Sequence, residues 1–427
     1  MFYRIKNQYN RFKDKVKENL YPKIVRYNYR NDIKRIREKA LRGEKINVIF
    51  YTNEPQKWSY DSVYKEFEKS PYFSPLILVV PRYRVHTGKD KTRMSLKEQY
   101  NFYKERNYNV EYGYINGEYV DIKKFSPDVF FYLQLAEIPD VDDPILISRF
   151  ALTFYCSYAF QLANYGKQYL QKFHKLLYLN YLENNKTYEI VDSYRQGNSR
   201  NCLSVGYPKL DVYINKYESL IDVSKYWAEP EKFKIIYAPH HSFQKTKGNI
   251  FNFGTFPQNY KFILELARKS KSKTTWIFKP HPMLRYTIVS EGLMTDSEAD
   301  EYYKEWAKIG KIYDTGDYFD IFKTSDLMIT DCSSFLAEYL PSNKPLIRLI
   351  NPKSIDFNII GKQLSACFYS VHNNEELTSV FDDVVLNNND YLTETRKEIA
   401  NTLIDVNETA GRKIYNDLYN RLIKQDN

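Results

Sequence analysis

Short, nearly unbroken apolar runs recur along this chain, and each is followed by a polar, helix-like stretch. Ile46–Tyr51, Leu76–Val80, Val129–Leu133 and Ala151–Cys156 form one series, with stretches such as Asp61–Lys69 between them. Lys234–Ala238, Thr274–Phe278, Leu327–Thr330 and Pro345–Leu349 form a second, with Tyr260–Lys269 and Ser334–Leu340 between. A strand that reads as continuously apolar is buried on both faces, which is the condition inside a parallel sheet covered by helices. Strands alternating with helices imply βαβ units. Two series imply two consecutive doubly wound α/β domains, which suits 427 residues better than one domain does. The boundaries expected are 46–220 and 221–388, with the chain crossing over near 212–230. Residues 389–427 read as helical and are expected to pack back across the junction.

Charge separates a further segment. The chain carries a net +10, and residues 1–45, with 15 Lys/Arg and 5 Asp/Glu, carry all of it; the other 382 residues hold 48 charges of each sign. A basic groove spread over the fold is therefore excluded, and no nucleic-acid-binding motif is present, so nucleic acid is not an expected partner. Within 1–45 the bases interleave with Phe12, Val16, Leu20 and Ile24 at largely helical spacing, broken at Pro22. A basic amphipathic helix of this kind fits an anionic membrane surface, or else packs on the body of the protein. No run of 18 apolar residues occurs, and Met1–Lys6 lacks the apolar core of a signal peptide. The four cysteines, Cys156, Cys202, Cys332 and Cys367, show neither metal-site nor disulfide spacing, which fits a reducing cytoplasm.

In open α/β sheets ligands bind beyond the carboxyl ends of the strands. In the second series those ends carry Pro239-His240-His241-Ser242, then Lys279-Pro280-His281-Pro282 with Arg285 beyond, then Asp331-Cys332-Ser333-Ser334 opening a helix. Together with Thr330 they describe a phosphate site: hydroxyls and free N–H groups at a helix start, supplemented by charged donors. Adjacent residues on an extended chain point to opposite sides, so one of His240 and His241 is expected to face the ligand and to serve as general base. Asp140-Val141-Asp142-Asp143 contains the spacing of a metal-binding carboxylate pair but follows Pro139 in a polar loop, so a solvated turn and no metal are expected, the cationic side chains doing the work of a divalent ion.

These residues resemble a known family. Asp320-Ile321-Phe322, Ser325–Ser334, Glu338-Tyr339 and Lys344-Pro345 are similar to the signature of the CDP-glycerol glycerophosphotransferases, which include the teichoic acid polymerases. Lys279–Pro282 matches the family's His-Pro element, and Gly206-Tyr207-Pro208-Lys209-Leu210-Asp211 resembles the element before its second domain. Lys57-Trp58-Ser59-Tyr60 and Phe131-Tyr132-Leu133-Gln134 resemble members from capsule loci. The resemblance implies a GT-B fold with an interdomain cleft. It implies a CDP-polyol donor, most simply CDP-glycerol, held by the second domain, with no cofactor. It also implies a lipid-linked or polysaccharide acceptor, and a peripheral position on the inner face of the cell membrane. Family polymerases carry a catalytic histidine shortly after the Tyr-x-Gln element. Here Gln134 is followed by Leu135-Ala136-Glu137, so Glu137 joins His240, His241 and His281 as a catalytic candidate. A glycosyltransferase using a CMP-sugar, or a non-catalytic assembly protein tethered by residues 1–45, are the alternative expectations.

Overall fold

The computed structural model describes residues 2–81, 94–135, 138–214, 221–243, 250–314 and 317–424, with side chains from Leu20 onward. It begins with one helix, Phe2–Leu41, that runs through Pro22. The expected break at Pro22 is thus corrected. A proline removes one backbone donor from the helical ladder, and the turns beyond it are pinned by tertiary contacts. Val25, Tyr29 and Ile36 are buried at helical spacing in the core below the first sheet. The Tyr29 hydroxyl bonds Thr153 Oγ1 at 2.5 Å and donates to the Leu176 carbonyl at 2.7 Å. Arg35 and Lys39 both reach the buried Asp128 carboxylate at 2.6 Å. From Tyr21 on, the helix is a layer of the first half of the molecule.

The strands of the first half are β1 (Ile46–Thr52), β2 (Phe73–Val79) and β3 (Val110–Tyr112), a small hairpin β4 (Tyr114–Ile115) and β5 (Glu118–Tyr119), then β6 (Val129–Tyr132), β7 (Leu152–Cys156), β8 (Leu179–Leu182) and β9 (Cys202–Ser204). The hairpin turns on Asn116 and Gly117, both at positive φ, the conformation a two-residue turn demands. The main sheet is parallel throughout, in the order β3-β2-β1-β6-β7-β8-β9. Val48 sits opposite Pro75 on one side and Val129 on the other. The second half supplies β10 (Phe233–Ala238), β11 (Thr274–Phe278), β12 (Lys311–Ile312), β13 (Leu327–Thr330), β14 (Leu346–Leu349) and β15 (Tyr369–Val371), parallel in the order β12-β11-β10-β13-β14-β15. Both orders reverse direction beside their first strand, at β1/β6 and β10/β13. Crevices form at such switch points, beyond the carboxyl ends.

The halves are stitched at a knot around Asp211. Its carboxylate accepts the Ser62 hydroxyl at 2.6 Å and the backbone N–H groups of Ala410 and Gly411 at 2.8 Å each. A Cβ at Gly411 would lie 2.7 Å from Ser62, so only glycine lets the two helices approach this closely. The helix Ala410–Leu422 that starts there buries Ile414, Leu418 and Leu422 in the core of the first sheet. The preceding helix, Thr393–Ala400, packs on the second half through Ala400 and the buried, Asp390-paired Arg396.

Candidate active site

The residues after β10, β11 and β13 form one wall of a cleft of about 330 Å³ between the two sheets. The other wall comes from the ends of β1 and β7, including Glu54, Lys57 and Tyr158. Asp331 and Thr330, expected on the phosphate, instead build the wall. The Asp331 carboxylate accepts the His240 N–H at 2.5 Å, the Thr255 N–H at 2.6 Å and the Thr255 hydroxyl at 2.8 Å. Burial pushes it up to about 6 against the pull of these bonds. Thr330 is fully buried; its hydroxyl donates to the Ala238 carbonyl at 2.7 Å and accepts the Cys332 N–H at 3.0 Å. A carboxylate with three donors of its own repels an anion less, but has no role in holding one.

His240 and His241 do not point apart. The strand has ended, and the Phe243 N–H turns back to the His241 carbonyl at 2.9 Å. Both rings therefore line the cleft, 4.7 Å apart between centroids, with His281 4.9 Å and 4.1 Å from them. Burial and mutual proximity hold His240 and His281 well below the usual histidine range, and burial beside Lys57 lowers His241 to about 4. All three rings are neutral at pH 7. Their nitrogens are close enough to suggest a metal triad, but the hydrogen bonds argue otherwise. Met283 N–H donates to His281 Nδ1 at 3.0 Å, and Ser242 N–H donates to His240 Nδ1 at 3.2 Å. A ring nitrogen that accepts an N–H carries no proton, so in these two neutral rings the proton sits on Nε2. Metal-bound histidines almost always show the reverse, a protonated nitrogen donating to an outer partner. His240 and His281 are therefore hydrogen-bond donors. His241 Nδ1 is buried and without a partner among the described residues.

Lys279 supplies the cation. It is 7% exposed, and its ammonium lies 4.9 Å from the Tyr318 ring centroid, 5.5 Å from Phe335 and 5.8 Å from Tyr313. No carboxylate pairs with it among the described residues. Burial lowers it to about 8, leaving it charged at neutral pH. Ser333 and Ser334 stand beside it on the cleft, at the start of the helix Ser333–Tyr339. Cys332, pushed up to about 11 by burial, is a thiol there and not a thiolate. Arg285 does not join them. It is held by Asp296 at 3.2 Å and Asp300 at 2.6 Å and lines a neighbouring cavity. Glu137 lies outside the described residues.

The sequence motifs contained three further cleft residues whose chemistry they did not announce. Lys57, after β1, is bound to Gln134 Oε1 at 2.7 Å and Glu54 at 2.8 Å, and Gln134 Nε2 donates to Asn53 at 2.5 Å. Lys209 donates to the Tyr318 hydroxyl at 2.9 Å, and the buried Glu338 accepts from Tyr318 and, at 3.0 Å, from Tyr207. Asp140–Asp142 is a turn, but Asp142 is not solvated: it is buried and accepts the Tyr51 hydroxyl at 2.5 Å.

Two parallel doubly wound sheets facing each other across a donor-rich cleft define a GT-B architecture. Residues 160–351 match the family model described as CDP-Glycerol:Poly(glycerophosphate) glycerophosphotransferase, a stretch that contains every strand-end motif of the second sheet. Over that stretch the chain is similar to the CDP-glycerol glycerophosphotransferases. No curated protein matches it in sequence. Among solved structures it is similar to the wall teichoic acid polymerase TagF, with a TM-score of 0.55 at 12% identity over 97% of this chain and 99% of that one. It is similar also to the S. aureus protein MnaA with UDP, with a TM-score of 0.54 at 13% identity over 89% and 98%. The UDP-GlcNAc 2-epimerase of Neisseria meningitidis gives 0.54 at 13% identity over 88% and 99%. At such identities the likeness is one of fold.

Proposed function

We propose that the protein transfers glycerol phosphate, or a close phospho-polyol, from its CDP-linked form to an acceptor hydroxyl and releases CMP. The observation that supports this most is Lys279, a buried ammonium caged by three aromatic rings, unpaired with any described carboxylate and flanked by two imidazoles locked as Nε2–H donors. A buried cation without a counterion is destabilising unless an anion joins it. The strand-end position, the serine pair and the family match support a nucleotide pyrophosphate as that anion. A wall teichoic acid polymerase of the same fold was soaked with CDPG.

In this reading the acceptor oxygen attacks the β-phosphorus as the bond from that phosphorus to the oxygen of CMP breaks. The attacking hydroxyl gives its proton to His241. Charge arriving on the CMP phosphate is met by Lys279, His281, His240, Ser333 and Ser334. Positioning and fixed electrostatics supply most of the rate in such transfers. No step uses a metal.

The acceptor is proposed to be lipid-linked or a surface polysaccharide, which would bring the protein to a membrane surface. Among the described residues no helix is long and apolar enough to cross a membrane. The first helix exposes Lys23, Arg26, Tyr27, Arg30 and Lys34 on its outward side, the composition of a surface-seeking helix. Removing residues 1–19 leaves the packed turns in place and should reduce sedimentation with anionic vesicles while CMP release into a soluble acceptor persists. Equal sedimentation would place the contact elsewhere. The donor itself is tested by following CMP release from CDP-glycerol, CDP-ribitol and a CMP-sugar. Release from the CMP-sugar alone would replace this function with a glycosyltransferase, and release from none would leave a non-catalytic protein.

A further inference from the structure

A second cavity, of about 450 Å³, opens beside the reaction cleft. Gln161 and Ala163 line both. Its floor is a seam between the halves: Asn164 N–H bonds the Asp356 carbonyl, Asn358 N–H bonds the Leu162 carbonyl, and Asn358 Nδ2 bonds the Gln161 carbonyl, each at 2.8 Å. The walls are Tyr165, Ser193 and Tyr194 from one half and Lys362 from the other.

Two features separate this pocket from an accidental gap. First, it shares Gln161 and Ala163 with the reaction cleft, and the side chains of Asn164, Ser193, Tyr194 and Lys362 on its lining are exposed. Second, the Tyr194 ring is laid directly on Gly166, where a Cβ would come within 2.0 Å of the ring. Only glycine at 166 leaves room for the ring, and Tyr194 lines the pocket. Flat aromatic faces suit the C–H faces of a sugar or polyol, and hydroxyl, amide and ammonium groups suit its oxygens.

We infer that this seam pocket holds the terminal units of the acceptor, a polyhydroxylated chain, and leads its end hydroxyl past Gln161 to the histidines. The inference rests on the transferase reading above, and the two fail in different experiments. Tyr194→Ala should raise the KM for a glycerol phosphate trimer about tenfold, leaving both the KM for CDP-glycerol and the slow release of CMP into water unchanged. Tyr194→Phe, which keeps the ring, should fall between. An acceptor KM within twofold of the wild type in Tyr194→Ala overturns the pocket. A fall in CMP release into water equal to the loss in transfer also overturns it, since the damage would then be general.

Binding settles the matter if no donor is turned over. Saturation-transfer NMR of the trimer, and of maltotriose as an uncharged polyhydroxylated probe, should show contact with the wild type that weakens in Tyr194→Ala. Contact with the trimer alone would assign Lys362 the phosphate of the chain, and Lys362→Gln should then remove it. Equal contact in wild type and Tyr194→Ala, or none with either probe, overturns the inference even if the donor reaction stands.

Discussion

The two sheets end on the same cleft with opposite kinds of chemistry. On the first-half wall every charge described is matched: Lys57 by Glu54 and Gln134, Gln134 by Asn53. On the second-half wall Lys279 is caged by aromatic rings and forms no ion pair with a described carboxylate, and His240 and His281 aim protonated Nε2 atoms with no acceptor side chain assigned to them. A matched wall tolerates a neutral group; an unmatched, donor-rich wall is stable only beside an anion. In the proposed reaction the difference assigns the charged donor to the second half and the hydroxyl to the first.

The hardest test of that contrast compares Lys279→Ala and His281→Ala with Lys57→Ala. The first two should lower CMP release ~100-fold or more, the scale of removing one charge-stabilising donor, and the third by ~10-fold at most. Steady-state kinetics in which all three fall equally would erase the distinction between the walls. Next comes Asp331→Ala. It strands three donors that hold the β10 turn to the loop at Thr255, so it should lose about 2–3 kcal/mol of stability in urea unfolding. A loss of activity with unchanged stability would instead make Asp331 a ligand.

A smaller effect has the opposite sign. The folded protein holds Lys279 near 8, below its unfolded value, so burial of the ammonium opposes folding at pH 7 and ceases to do so once both states are neutral, above roughly pH 10. Lys279→Met should therefore stabilise the ligand-free protein at pH 7 by about 1–3 kcal/mol, with the gain shrinking toward pH 10. The same ammonium predicts that kcat/KM falls as pH rises through about 8, and that Lys279→Arg moves this limb upward. A destabilised Lys279→Met would mean the lysine has a counterion and the wall is matched after all. The smallest expected effect is none: excess EDTA should leave CMP release unchanged, because His240 and His281 are held as donors. Loss of activity restored by Mg²⁺ or Zn²⁺ would reverse that tautomer assignment.

Much of this molecule could be read before it was seen. Central strands such as Thr274–Phe278 and Leu327–Thr330 are found where their apolar runs lie, because a strand covered on both faces must be apolar at every position. Val110–Tyr112, Cys202–Ser204, Lys311–Ile312 and Tyr369–Val371 carry no such run: they are short and stand at sheet edges, where no such demand is made. The helix through Pro22 was hidden for another reason: a local breaker was outweighed by packing and ion pairs to Thr153, Leu176 and Asp128, all more than 80 residues away.

What the sequence determined alone was the pair of wound sheets and the residues that follow their strands, since both depend on local pattern and on a general rule of where ligands bind. The tertiary structure decided what those residues do. Asp331 and Arg285 stood in the right words and were taken by other partners; His240 and His241 turned to the same side because the strand had ended; Lys279 gained its cage from Tyr318 and Phe335 and its opposite wall from Lys57. Burial, tautomer and pairing are properties of the space between distant segments, and a linear pattern carries no record of that space.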